Sequence, residues 1–221
     1  MEPTLRPRIK VCCIADVDEA WTAIRAGASA LGLVSNMGVG PGIIADERID
    51  EIAARIPPGI ASFLLTAKND AASLIAMQRR SGANTLQLCD RVDSAVRREV
   101  RAALPGIALV QVVHVSGPES LDEALAVAPE VNAILLDSGT PGVPGGLLGG
   151  TGRVHDWEVS RRIREAVDVP VYLAGGLRAD NVAEAIRQVR PFGLDLCTGL
   201  RTDGRLDPDK LSRFFAAVAA A

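Results

Sequence analysis

Asp137 ends an apolar run, Ala133-Ile134-Leu135-Leu136, and opens a glycine-dense stretch from Ser138 to Val154. A continuous apolar run reads as a strand buried on both faces, so this carboxyl is presented by a rigid strand to a loop. The carboxyl ends of parallel strands are where α/β folds keep their chemistry. Three glycine signals lie near the same end: Gly149-Gly150-Thr151-Gly152, Gly175-Gly176 and Thr198-Gly199. Backbone N–H groups at such turns can cradle a phosphate, because glycine permits close approach and positive φ. The plain alternative is a set of tight βα turns. Their coincidence after two neighbouring terminal strands favours phosphate.

The elements that must position these residues alternate eight times. Ile9 to Ile14 reads as a strand, and Asp16 caps a helix to Arg25 with Gly27 as its stop signal. Ala30 to Ser35 pairs with a helix from Glu47 to Ile56 capped by Asp46; Ile60 to Thr66 pairs with a helix ending at Arg80. Thr85 to Cys89 precedes Ser94 to Leu104, and Ala108 to Val115 precedes Ser120 to Val127. Ala133 to Asp137, Val171 to Ala174 and Leu194 to Cys197 precede helices at Asp156 to Val167, Asp180 to Val189 and Pro208 to Ala219. Eight such units favour closure into an α/β (β/α)8 TIM barrel, a single domain over residues 1–221, over an open sheet. The turn after the first strand, Ala15-Asp16-Val17-Asp18, lacks the Gly-rich dinucleotide fingerprint.

Strand alternation then sorts side chains between interior and helix-packed faces. Lys10 shares a face with Cys12, Gln87 with Cys89, and Gln111 with Val113. A Lys and two Gln suit a helix-packed exterior poorly, so all three are assigned inward, which carries Cys12 and Cys89 to the mouth beside Asp137. His114 then faces the helices. The four cysteines show no C-x-x-C spacing and read as reduced thiols, with neither a disulfide framework nor a structural zinc site.

With 48% apolar and 23% charged residues and a net charge of −3, the composition is that of an ordinary soluble protein. Scattered Arg residues and 3% aromatics argue against a nucleic-acid partner. No apolar run approaches a membrane-spanning length, and Met1 to Arg8 lacks the apolar centre of a signal peptide, so a cytoplasmic location is expected.

Ile9-Lys10-Val11-Cys12-Cys13-Ile14 resembles the K-I-C-G-I opening of the phosphoribosylanthranilate isomerase family. Leu135-Leu136-Asp137 followed by Gly149-Gly150-Thr151-Gly152-Arg153-Val154-His155-Asp156-Trp157 resembles its L-L-D and G-G-T-G-x-x-F-D-W motifs. Leu173-Ala174-Gly175-Gly176-Leu177 and Val189-Arg190-Pro191-Phe192-Gly193-Leu194-Asp195, leading to Thr198-Gly199, resemble its terminal segments. The resemblance implies an Amadori rearrangement in tryptophan biosynthesis, with Asp137 as general acid and Cys12 as general base. It implies a small phosphorylated-sugar substrate, no metal or organic cofactor, and a monomer or homodimer. The acid must keep a proton near neutrality and the thiol must lose one; burial would raise the first, and Lys10 would lower the second.

Departures from the family pattern concern the substrate. The family's loop after the second strand supplies an Arg for the anthranilate carboxylate, yet Ser35 to Ile44 contains no cation. The family's Q-L-H-G is Gln87-Leu88-Cys89-Asp90 here, its glycine after the catalytic cysteine is Cys13, and its S-G-V-E is Thr198-Gly199-Leu200-Arg201. In one reading Arg153 or Arg201 replaces the missing cation, with Lys10, Gln87 and Cys89 as further substrate contacts and Gly150, Gly152, Gly175, Gly176, Thr198 and Gly199 around the phosphate. Alternatively the acid and base serve a related isomerase or lyase on another phosphorylated sugar, or the barrel binds such a ligand without catalysis. Gly145 to Gly152 has the composition of a lid.

Overall fold

A computed structural model describes residues 6–38, 40–139, 148–149 and 152–221. Eight parallel strands close in sequence order: β1 (Arg8–Val11), β2 (Ala30–Val34), β3 (Ala61–Thr66), β4 (Thr85–Leu88), β5 (Ala108–His114), β6 (Ala133–Asp137), β7 (Val171–Leu173) and β8 (Gly193–Leu196). Each is followed by its helix: α1 (Val17–Ala26), α2 (Asp46–Ala53), α3 (Ala71–Ser81), α4 (Ser94–Ala103), α5 (Ser120–Val127), α6 (Trp157–Ala166), α7 (Val182–Val189) and α8 (Pro208–Ala219). The seam that closes the barrel pairs Lys10 with Asp195 and Val11 with Leu196. Among the described residues no helix is long and apolar enough to cross a membrane.

Local chemistry sets most boundaries. Asp16, Asp70, Asp156 and Asp207 accept backbone N–H bonds at the starts of α1, α3, α6 and α8, and Gly27 ends α1 at φ 108°. Asp46 is not a cap: Ala45 holds that position without a side-chain bond, and Asp46 is the first helical residue. That helix stops at Ala53 rather than Ile56, since Arg55 and Ile56 donate to Ile52 and Ala53, three residues back, as the chain tightens toward Pro57. β1 likewise stops short of Ile14. Cys12 still donates to the Leu196 carbonyl at 2.7 Å, but Cys13 takes φ 63° and turns the chain out of the strand.

Two apolar clusters divide the core. One lies between sheet and helices and contains Val11, Leu86, Leu88, Val113, Ile134 and Leu136. The other fills the interior with Cys12, Phe63, Leu65, Cys89, Val110, Val112, Leu135 and Tyr172. The inward assignment is right for Cys12 and Cys89 and wrong for Gln111. Val110 and Val112 face inward, and Gln111 alternates with them on the helix side. Its Nε2 donates to the carbonyls of Leu88 and Asp90 at 3.1 and 2.8 Å, so hydrogen bonding makes an outward amide tolerable. His114 consequently shares the parity of the interior valines rather than of Val113, with its Nε2 3.0 Å from the Cys89 carbonyl oxygen.

Candidate functional site

The carboxyl ends of the strands surround a cavity of about 710 Å³ of empty space, open solvent included. Cys12, Gln87, Cys89 and Asp137 line it from the ends of three strands, β1, β4 and β6. Gly152, Gly175, Gly176, Thr198 and Gly199 line the β7 and β8 side, and Val34, Met37, Pro41, Leu65 and Leu148 form an apolar wall. The sequence-derived candidates therefore converge, with four exceptions.

Lys10 lies beneath the cavity, fully buried, with Nζ 2.8 Å from Asp195 Oδ2 and 5.0 Å from the centre of the Phe63 ring. Burial, the largest influence, opposes its charge, but the attraction of Asp195 and of the Cys12 and Cys89 thiols outweighs it and the lysine's pKa rises. Arg201 is turned away: its guanidinium bonds Glu19 Oε2 at 2.9 Å, the Gly204 carbonyl at 2.8 Å and the Cys13 carbonyl. It ties the hairpin β9 (Arg201–Thr202) and β10 (Arg205–Leu206) to α1, a hairpin with no counterpart among the expected elements. Arg153 is exposed and is not among the lining residues. Gly150 lies outside the described residues, as does most of the proposed lid from Gly145 to Gly152.

The electrostatics separate the acid from the thiols. Burial pushes Asp137 up to about 6, against the 2.7 Å bond its Oδ1 accepts from the Ser138 N–H. Asp195 adds to the rise and Lys10 opposes it. Burial also pushes Cys12 up to about 11 and Cys89 to about 12. Lys10 does pull Cys12 down, as expected, but desolvation wins. Gly32 of β2 makes room for this thiol, since a Cβ there would stand 2.6 Å from Cys12 Sγ.

The glycines at the β7 turn have a plain packing role. Gly175 and Gly176 have φ 80° and 62°. A Cβ on Gly176 would lie 2.7 Å from the Arg153 carbonyl carbon and the Val154 nitrogen, so these residues let the loop after β6 cross the β7 turn. The same absence of side chains leaves the cavity edge open.

Cys13 and Cys197 correct the reading of four reduced thiols: they form a disulfide with Cα atoms 5.8 Å apart, and Cys12 and Cys89 remain free. The reason is the left-handed turn at Cys13, which takes its side chain off the alternation of β1 toward the end of the adjacent β8. Asp195 is the residue missed outright. It lines the cavity, is buried, and among the described residues keeps Oδ1 without a hydrogen bond; the buried Gln87 Oε1 is in the same condition. An isolated acid in the apolar run Gly193-Leu194-Asp195-Leu196 was a signal, but its partner became identifiable only through the register across the seam. Among the described residues no group of three or more His, Cys, Asp or Glu side chains is placed to hold a metal ion.

Residues 9–217 match the model of the family described as N-(5'phosphoribosyl)anthranilate (PRA) isomerase. An N-(5'-phosphoribosyl)anthranilate isomerase of Haloferax volcanii is 38% identical over 221 residues, covering 97% of this chain and 94% of the relative. N-(5'-phosphoribosyl)anthranilate isomerase 2 of Methanosarcina mazei is 37% identical over 215 residues, with coverages of 94% and 92%. The crystal structure of phosphoribosyl anthranilate isomerase from Thermotoga maritima superposes with a TM-score of 0.84 at 25% identity, covering 97% of this chain and all of that one. A phosphoribosyl anthranilate isomerase in complex with reduced 1-(o-carboxyphenylamino)-1-deoxyribulose 5-phosphate shares the fold, with a TM-score of 0.81 at 23% identity and coverages of 97% and 100%.

Proposed function

This chain belongs to the N-(5'-phosphoribosyl)anthranilate isomerase family, and from that premise we propose that it converts the phosphoribosylated aminoaldose to the aminoketose by an Amadori rearrangement. The observation carrying the roles is that a carboxyl with a pKa of about 6 and a buried thiol line one cavity with a glycine-rich rim. Asp137 donates its proton to the ring oxygen as the C1–O bond breaks and the nitrogen lone pair forms the C1=N bond. Cys12 then removes the C2 proton, and the electron pair left behind forms the C1=C2 bond of an enolamine. Return of a proton to C1 and loss of the C2 hydroxyl proton give the ketone, so atoms and electrons balance without an external reagent.

The order of these steps follows from the two pKa values. Near neutrality burial leaves Asp137 with a protonated fraction and keeps the Cys12 thiol almost wholly protonated. The thiolate must therefore form after the substrate has entered, its proton passing to solvent at the open mouth of the cavity. Ring opening creates an iminium cation beside the sulfur, and an opposite charge at such a distance lowers a pKa by about 1–3. Ring opening thus prepares the base for the next step.

Backbone N–H groups of Gly152, Gly175, Gly176, Thr198 and Gly199 hold the phosphate in this reading, and the unpartnered Asp195 Oδ1 and Gln87 Oε1 accept from sugar hydroxyls. Lys10 acts through Asp195, and Cys89 lines the cavity beside Gln87. The test is loss of phosphoribosylanthranilate fluorescence with wild type, Cys12→Ser and Asp137→Asn. Turnover should vanish in both variants while affinity for a phosphorylated product analogue is retained; wild-type rates in either variant remove that residue from the mechanism.

A further inference from the structure

The cavity carries little that would attract a carboxylate on the amine substituent. Among the described residues its lining contains no Arg, Lys or His, and it does contain two carboxyls, Asp137 and Asp195. Nearby cations are engaged or stand off the lining. Lys10 is bound to Asp195, Arg201 to Glu19, and Arg178 to Asp180 at 3.1 Å, while the Arg153 backbone packs against Gly175 and Gly176 and Arg153 is not among the described lining residues. Opposite the glycine-rich rim stands the wall of Val34, Met37, Pro41, Leu65 and Leu148, a surface for an apolar ring.

An ionised carboxylate entering such a place loses hydration, gains no cation, and meets like charge whenever Asp195 or Asp137 is ionised. A site that selects for a carboxylate instead rewards it with a charge-assisted, commonly bidentate, bond. Resting on the isomerase reading, we infer that this barrel does not select for the aryl carboxylate: it takes phosphorylated aminoaldoses whose amine bears an uncharged aryl group as well as, or better than, those bearing anthranilate. Specificity then resides in the phosphate and the sugar, and the wall imposes only shape and apolarity.

The experiment compares kcat/KM for N-(5'-phosphoribosyl)aniline and N-(5'-phosphoribosyl)anthranilate, with products separated by chromatography. The expected preference for the carboxylated substrate is less than tenfold; a larger one overturns the inference. Met37→Arg, which places a cation on the wall, should raise that preference at least tenfold, and an unchanged ratio would mean that the ring lies elsewhere. Arg153→Ala should leave the ratio unaltered. A tenfold fall would instead identify Arg153 as the carboxylate's partner and defeat the inference. Turnover of neither substrate defeats the isomerase reading together with this one, whereas turnover of the anthranilate compound alone defeats only this one.

Discussion

The disulfide between Cys13 and Cys197 makes a prediction with two separable parts. The bridge spans a sequence separation of 184, joining the end of the first strand to the end of the last. Closing a loop that long removes about 5 kcal/mol of unfolded-state freedom in the chain-entropy model, and measured bridges typically deliver about 2–4 kcal/mol. Breaking it by reduction, or by Cys197→Ser, should therefore destabilise the protein by about 2–5 kcal/mol. Cys13→Gly breaks the same bridge but also removes a side chain held at φ 63°. That conformation costs a non-glycine residue about 1–2 kcal/mol, and the added freedom of glycine in the unfolded chain returns about 0.4–1 kcal/mol of that. Cys13→Gly should thus be more stable than Cys197→Ser by roughly 0.5–1 kcal/mol. Urea-unfolding midpoints of oxidised wild type, reduced wild type and both variants measure every term. Equal midpoints for oxidised and reduced wild type would refute the contribution of the bridge. A Cys13→Gly variant less stable than Cys197→Ser would refute the strain argument.

Asp137 makes a second prediction. A buried carboxyl raised from 3.8 to about 6 binds its proton more tightly in the folded state, so stability falls as pH rises through that window, by about 3 kcal/mol in all. Asp137→Asn should be more stable than wild type at pH 7 by up to that amount and no more stable below pH 4; a stability difference independent of pH sinks the assignment. Lys10→Met leaves Asp195 buried without its partner and should cost about 3–5 kcal/mol in unfolding measurements, much of it recovered on adding Asp195→Asn, whereas a tolerated single change would mean the pair is already hydrated. With an acid near 6 and a base near 11, the fraction in working form is flat between those values, so kcat/KM should rise tenfold per pH unit below about 6, hold level above it, and fall beyond about 11. A bell centred on pH 7 would contradict that pairing of roles.

What the chain disclosed in advance, and what it withheld, divide along one physical line. β6 was bounded correctly at Ala133 and Asp137, because an apolar run between polar loops is a local property. α1 was legible at both ends through Asp16 and Gly27, each of which acts on its own neighbours. β1 was overrun, since nothing in Cys12-Cys13-Ile14 announces a left-handed residue except that the family carries glycine where Cys13 stands. Polarity alone sends Gln111 inward only if its amide has no partner outside the interior; the carbonyls of Leu88 and Asp90 supply one through the β4–β5 register. Lys10 and Asp195, 185 residues apart, and Arg201 and Glu19, 182 apart, are the same case at longer range. Each partner stands out in sequence as a charge in an apolar or helical setting, but which charge answers which is decided when β8 comes to lie beside β1. That closure commits the Lys10 ammonium and the Arg201 guanidinium to Asp195 and Glu19. Asp137 and Cys12 are left lining the cavity, while these two cations hold the barrel seam and the last hairpin.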